Sequence, residues 1–221
     1  MANYILVGSY SNDVTTLAFD PTTNTLQVAS SLPVGHHPSW IASHSAHPSL
    51  VWTGLEQPEG KILALSHDKR GNCKIVSETS SGGSEPCFLW ADECELIIAN
   101  VRSPLSLIKA ILLSFSQYSS GTVGILPISP DTSKFMAPTQ SIQLRGSGPD
   151  ILRQQNSHPH QAFVHEKYQE LLVTDLGSDS LCRFKRNRDG LWQLMGHVGF
   201  EAGGGPRHVA LHGKHIIYSL I

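Results

Sequence analysis

The chain has 221 residues, with 16 Lys+Arg against 18 Asp+Glu and a formal net charge of −2 at pH 7. That balance excludes a nucleic-acid binder working through a broad basic surface, and an apolar content of 40% is too high for a disordered chain. The 19 glycines and 13 prolines suit strands and turns rather than a helical bundle.

In chain order, apolar runs at 4–7, 15–19 and 25–29 are separated by Gly8 and by the turn Asp20-Pro21-Thr22-Thr23-Asn24. They show no helical period and predict an antiparallel meander. Short strands are also predicted at 40–42, 50–52, 61–65 and 73–76.

Four stretches then share a shape: Gly35-His36-His37-Pro38-Ser39-Trp40-Ile41, Gly83-Ser84-Glu85-Pro86-Cys87-Phe88-Leu89, Ser157-His158-Pro159-His160-Gln161-Ala162-Phe163 and Gly204-Gly205-Pro206-Arg207-His208-Val209-Ala210. Each is a small or polar turn, a proline and an apolar strand, with a second apolar strand at 49–53, 96–100, 171–175 or 216–220. The prolines at 38, 86, 159 and 206 are 48, 73 and 47 residues apart. A period of about 45–50 residues with four short strands marks a β-propeller blade; the competing reading is unrelated strand-turn pairs in a sandwich. The expected fold is all-β: an incomplete propeller of about four antiparallel four-stranded blades, one domain over 1–221.

The long interval contains residues 101–117, in which Leu105, Ile108, Leu112 and Phe115 fall on one helical face. The stretch is too short, and Lys109 too central, for a membrane span. Its removal cuts the interval from 73 to 56 and joins strand to turn to strand, so 101–117 reads as an insertion. Val codons begin with GT and the Gln codon CAG ends in AG, which suits a retained intron; a lid or interface helix is the alternative. Residues 215–221 match 49–55, so the chain stops one residue before an equivalent of Glu56 and reads as the N-terminal part of a larger propeller. Cys73, Cys87, Cys94 and Cys182 form no CxxC pair, and the first residues lack a basic, then apolar leader. A reducing, cytoplasmic location is expected.

The runs Arg153-Gln154-Gln155-Asn156-Ser157-His158-Pro159-His160-Gln161, Val173-Thr174-Asp175-Leu176-Gly177-Ser178-Asp179 and Gly204-Gly205-Pro206-Arg207-His208-Val209-Ala210 resemble, in order and spacing, the lactonase family of seven-bladed β-propellers. That family includes propeller-type 6-phosphogluconolactonases and fungal 3-carboxy-cis,cis-muconate cyclases. The likeness runs over 4–221, interrupted at 101–117, and Val7-Gly8-Ser9-Tyr10 is similar to the family's opening strand. Full family members carry roughly three more blades. The resemblance implies a site at one mouth of a central channel, acting on a small anionic lactone or its open acid.

The expected catalytic residues are His158, His160 and Arg207. The two histidines lie two apart and share one face of an extended strand. An imidazole near pKa 6.5 takes and returns protons at neutral pH, activating water in lactone hydrolysis or serving the proton transfer at carbon in cyclisation. A turn histidine bonded to backbone is the alternative. Arg207 offers a planar fork to a carboxylate, a phosphate or a developing oxyanion, or else a surface ion pair. Arg153, Gln161, Asp175, His208 and Glu56 are the expected substrate-binding residues. Arg153 is alternatively a solvated loop residue, His208 a backbone-bonded one and Asp175 a cap on the Leu176-Gly177 turn. Glu56 ends the strand corresponding to that of Asp175, and the resemblance places such strand-end acids at the site.

No metal is expected: His36, His37, His44 and His47 match no ligand spacing, and His158 with His160 lacks a third ligand. Gly203-Gly204-Gly205 is followed by no Lys-Ser/Thr and no Gly-x-Ser-x-Gly occurs. No cofactor, nucleic acid or membrane partner is implied. The expected function is hydrolysis of a sugar lactone such as 6-phosphogluconolactone by general acid-base catalysis. The alternatives are a 3-carboxy-cis,cis-muconate cyclase and an inactive truncated propeller or interaction scaffold.

Overall fold

The structure, a computed structural model, describes residues 2–102, 121–129, 134–212 and 215–219. The expected insertion lies outside the described residues from position 103 onward, Val101 and Arg102 forming the end of a strand.

Among the described residues every strand pairing is antiparallel. A three-stranded sheet comes first, of β1 (Asn3–Val7), β2 (Asp13–Asp20) and β3 (Thr25–Pro33). Three four-stranded meanders follow. The first holds β4 (Trp40–Ser43), β5 (Leu50–Leu55), β6 (Lys61–His67) and β7 (Cys73–Ser80). The second holds β8 (Ser84–Ala91), β9 (Glu95–Arg102), β10 (Thr122–Pro127) and β11 (Gln140–Gln143). The third holds β12 (Pro159–His165), β13 (Glu170–Asp175), β14 (Ser180–Arg186) and β15 (Trp192–Gly199). A hairpin of β16 (His208–His212) and β17 (His215–Ser219) comes last.

Burial grades across each blade. Every residue of β5 and of β13 is buried, whereas β7 and β15 are mostly exposed. The second strand is covered on both faces by neighbouring sheets, which is why Leu-Val-Trp-Thr-Gly-Leu and Glu-Leu-Leu-Val-Thr-Asp lack the alternation of a half-exposed strand. Trp52, Ile62, Leu89, Ile98 and Leu126 fill the space between the first two complete blades. Phe88, Ile97, Val123, Leu171, Val173 and Phe184 fill the space between the second and third. Each such fully buried side chain stabilises the fold by about 1.5–3 kcal/mol.

Register shifts recur at equivalent places. Third and fourth strands slip between Ala64 and Leu65, and again between Arg183 and Phe184. The first sheet slips in the same way between Thr16 and Leu17 of β2. Its strands therefore correspond to the second, third and fourth of a complete blade. Accordingly β1 is an edge, with Tyr4 and Ile5 exposed where the equivalent β5 is wholly buried.

The inner strands carry a second set of bulges. Pro86 pairs with Asn100 and then Phe88 with Ala99; Pro159 pairs with Asp175 and then Gln161 with Thr174. Cys87 and His160 are the extra, unpaired residues, and a bulge re-aims the side chain it carries. These pairings also correct the predicted alignment of strand ends. Trp40 pairs with Gly54, as Gln161 does with Thr174, so Asp175 corresponds to Leu55 and Glu56 to Leu176. A slip of one residue moves a side chain to the opposite face, and Asp175 and Glu56 occupy different environments.

Candidate active site

The residues immediately after the four repeated prolines are Ser39, Cys87, His160 and Arg207, and they gather at one end of the inner strands. Proline sets φ and has no N–H to donate, so the chain enters each inner strand in the same way. Arg207 is held from both sides. Its carbonyl accepts from Thr174 Oγ1 at 2.9 Å, and two residues later Val209 N donates to Gln161 Oε1 at 2.7 Å. Before it, Gly205 takes φ +55°, a left-handed conformation that glycine adopts without strain. The carboxylate of Asp179 accepts from Gly203 N and Gly205 N, each at 2.8 Å, and fixes this turn.

Glu56 follows β5. Its amide donates to the His37 carbonyl at 3.2 Å, and its Oε1 accepts from the Ser39 hydroxyl. Burial raises its pKa above the ordinary carboxylate range, opposed by the Ser39 hydrogen bond and by the positive charge of Arg207, with Glu85 adding to the rise. His37 and Glu85 both precede a repeated proline and both have positive φ, +48° and +54°. Such backbone strain in non-glycine residues is concentrated at functional sites.

His160 is 8% exposed, and its Nδ1 has no hydrogen-bond partner among the described residues. Burial, Arg207 and His208 together push its pKa down to about 3. This imidazole is neutral at physiological pH and a weak base, so the premise of a histidine titrating near neutrality does not describe His160. The ring of His208 meets that of His160 edge-on at 5.0 Å and lies parallel to Trp40 at 6.0 Å. Phe88 and Trp40 pack at 4.3 Å beside it. Trp40, Phe88 and His208 each stand two residues after a repeated proline and together make an aromatic surface next to the polar cluster. Burial and Arg207 lower the His208 pKa.

The other sequence candidates fall elsewhere. His158 Nδ1 donates to the Val101 carbonyl at 2.9 Å, the backbone-bonded arrangement. Asp175 is 1% exposed, and its carboxylate accepts from Ser157 Oγ, His158 N, Gly177 N and Ser178 Oγ at 2.6–3.0 Å. Its lone pairs are consumed by its own turn and by the residues that lead into β12, and these bonds take the place of the substrate contact expected of it. Gln161 spends its side-chain oxygen on Val209, stitching two blades together. Arg153 is exposed on a surface turn, its amide bonded to the Asp150 carbonyl at 3.2 Å. Sequence reasoning did not single out Ser39, His37 or Asp179 as functional. The shared proline offset pointed to Ser39; His37 and Asp179 carried no separate signal. Among the described residues no group of three or more His, Cys, Asp and Glu is placed to hold a metal ion.

Residues 4–220 match the family described as "Lactonase, 7-bladed beta-propeller". The 6-phosphogluconolactonase of Bacillus subtilis is 26% identical over 179 residues, 80% of this chain and 46% of its own. A probable 6-phosphogluconolactonase of Arthroderma benhamiae is 29% identical over 211 residues, 95% of this chain and 49% of its own. The chain thus spans about half the length of these curated relatives. A solved structure from Bacteroides fragilis, described as a putative 6-phosphogluconolactonase, superposes with TM-score 0.79 at 23% identity, covering 99% of this chain and 61% of that one. The periplasmic gluconolactonase of Pseudomonas aeruginosa superposes with TM-score 0.76 at 18% identity, covering 100% and 62%. At these identities the structures establish the fold, and with the family match the conclusion is that this chain belongs to the seven-bladed β-propeller lactonases.

Proposed function

We propose that this site opens the ring of a phosphorylated aldonolactone such as 6-phosphogluconolactone by general-base attack of water. One observation carries the reading: a partly buried carboxylic acid of raised pKa, Glu56, sits within electrostatic reach of the Arg207 guanidinium contributed by a distant blade. The names of the curated relatives support the substrate class.

In this reading the Glu56 carboxylate takes a proton from water as the water oxygen bonds to the lactone carbonyl carbon. A carboxyl whose pKa is raised toward neutrality is a better base than an ordinary one. The carbonyl oxygen becomes an oxyanion and accepts an N–H of Arg207, which is charged at every relevant pH. Collapse of the tetrahedral species breaks the bond from the acyl carbon to the ring oxygen. That oxygen leaves as a hydroxyl with the proton held on Glu56, and the product is the open acid. Neutral His160 lies beside Arg207 without competing for the proton.

The test is to incubate the purified chain with 6-phosphoglucono-δ-lactone and, separately, with 3-carboxy-cis,cis-muconate. Saturable lactone opening above the spontaneous rate is the expected result. Cyclisation of the muconate without lactone opening, or neither reaction, would overturn the reading.

A further inference from the structure

Trp40 in β4 and His208, the first residue of β16, belong to sheets with two complete blades between them. Packing otherwise runs from each sheet to the next: Trp52 and Leu89 share one buried cluster, Ile97 and Val173 another, Leu181 and Val209 a third. Yet the Trp40 and His208 rings lie within 16° of parallel, with centroids 6.0 Å apart. The Phe88 ring of the second complete blade is 4.3 Å from Trp40 and 6.0 Å from His208, and the His160 ring of the third is 5.0 Å from His208. Rings from four successive sheets therefore meet in one group, which requires inner strands that turn about a common axis. The approach of Trp40 to His208 closes that group across the axis.

The rings are held in place. Trp40 Nε1 donates to the Leu89 carbonyl at 3.0 Å, and the Trp40 carbonyl accepts from Thr53 Oγ1 at 2.8 Å. Phe88 is buried and backs the indole, while Trp40 and His208 keep part of their surface exposed. Both chain neighbours of His208 are tied to the third complete blade, Arg207 through its carbonyl and Val209 through its amide. Ser39 and Arg207 stand in the connections that lead into β4 and β16, so the rings border the polar cluster by direct chain linkage. Small-molecule sites are lined by aromatic side chains with a few placed polar groups. Here that combination is fixed before a ligand arrives, which lowers the cost of ordering the site on binding.

We propose that Trp40 is a specificity-determining residue that touches the substrate: its indole, backed by Phe88 and flanked by His208, is a floor on which the carbon-bound hydrogens of a cyclic sugar ester rest. A six-membered sugar lactone presents such hydrogens on a face of its ring, and the negative face of an indole suits them. The open acid is a flexible chain with no ring face, so it forgoes this contact while keeping its anionic groups. The floor therefore favours the ring over the chain it becomes. The inference rests on the lactone reading of this site for the identity of the ring, and on the ring geometry alone for the floor.

Two probes test it: glucose 6-phosphate, a sugar ring with no ester to open, and 6-phosphogluconate, the open acid. Glucose 6-phosphate should change the tryptophan fluorescence of the wild type saturably. Trp40→Phe, which keeps a ring for packing, should lose most of that change although Trp52, Trp90 and Trp192 remain. By calorimetry, Trp40→Leu should bind glucose 6-phosphate about tenfold more weakly and 6-phosphogluconate within about twofold of the wild type. In lactone opening its KM should rise with kcat nearly unchanged, the mark of binding lost equally from ground and transition states. A wild type that does not respond to glucose 6-phosphate, or a folded Trp40→Phe that keeps the full fluorescence change, overturns the inference. So does equal weakening of both probes in Trp40→Leu, the outcome of a merely structural role. A wild type that binds the ring on Trp40 but does not open the lactone overturns the proposed function and leaves the floor standing.

Discussion

The Ser39 hydroxyl donates to the Glu56 carboxylate, and the His37 carbonyl, on the other side of Pro38, accepts from the Glu56 amide at 3.2 Å. One proline-centred turn thus holds the acid by side chain and backbone together. The hydrogen bond from Ser39 lowers the Glu56 pKa against the upward push of burial. Ser39→Ala should therefore move the acidic limb of the pH–rate profile of lactone opening to higher pH, while activity above that limb changes by less than about tenfold. A limb that stays in place, or moves down, contradicts this role for Ser39.

Glu56→Gln should lower the rate about 10²–10⁴-fold, the range of a lost general base. Its effect on stability has the opposite sign. A carboxyl whose folded pKa lies above its unfolded value resists ionisation in the folded state. That cost is absent below the unfolded pKa and fully present above the folded one. Gln removes it, so at pH 7 the variant should be as stable as the wild type or more so, by less than about 1 kcal/mol because solvent screens a partly exposed group. Chemical denaturation at pH 7 and pH 4 checks this, and a gain confined to pH 4 would refute it.

His160 predicts an acid instability. Its pKa falls from the ordinary 6.5 to about 3 on folding, through burial and the charges of Arg207 and His208. The unfolded chain binds a proton in that window and the folded chain does not. The stability contributed by neutral His160 is therefore complete above pH 6.5 and is lost as pH falls toward 3. The unfolding free energy should drop by up to about 1.4 kcal/mol per pH unit below pH 6 from this group alone. His160→Gln should flatten that slope; denaturation curves of equal slope in the two proteins would count against the buried neutral imidazole.

Asp175 should prove structural. Four donors converge on its buried carboxylate, and Asp175→Ala leaves them without their acceptor. A loss of about 2–4 kcal/mol is expected, with Asp175→Asn recovering part of it. Wild-type stability in the alanine variant, with altered substrate affinity, would restore the binding role expected from sequence.

Much of the blade plan was legible because proline punctuates it. Pro38, Pro86, Pro159 and Pro206 all stand at or just before the start of an inner strand or within its first bulge, since a residue lacking an N–H and fixed in φ fits there at little cost. The alignment of strand ends was legible only to within one residue. The bulged residues Cys87 and His160 have no partner opposite them, and counting along the chain cannot register that. Glu56, Arg207, His160 and His208 lie in one neighbourhood at the end of the inner strands. Asp175, Gln161 and Arg153 do not join them: the first two are polar strand residues that bond neighbouring backbone, and Arg153 lies on a solvent-facing turn. The low basicity of His160 depends first on burial and then on Arg207 and His208, 47 and 48 residues away, and is written in no local pattern.

The most direct measurement is the pH dependence of 6-phosphoglucono-δ-lactone opening by the wild-type chain, Glu56→Gln and Arg207→Gln, each corrected for the spontaneous rate and each shown folded by circular dichroism. The account predicts saturable catalysis in the wild type with one acidic limb, set by Glu56. It predicts loss of that limb together with at least about a hundredfold of the rate in Glu56→Gln, and a comparable loss in Arg207→Gln. Wild-type rates in folded Glu56→Gln, or an acidic limb that survives the substitution, would contradict it.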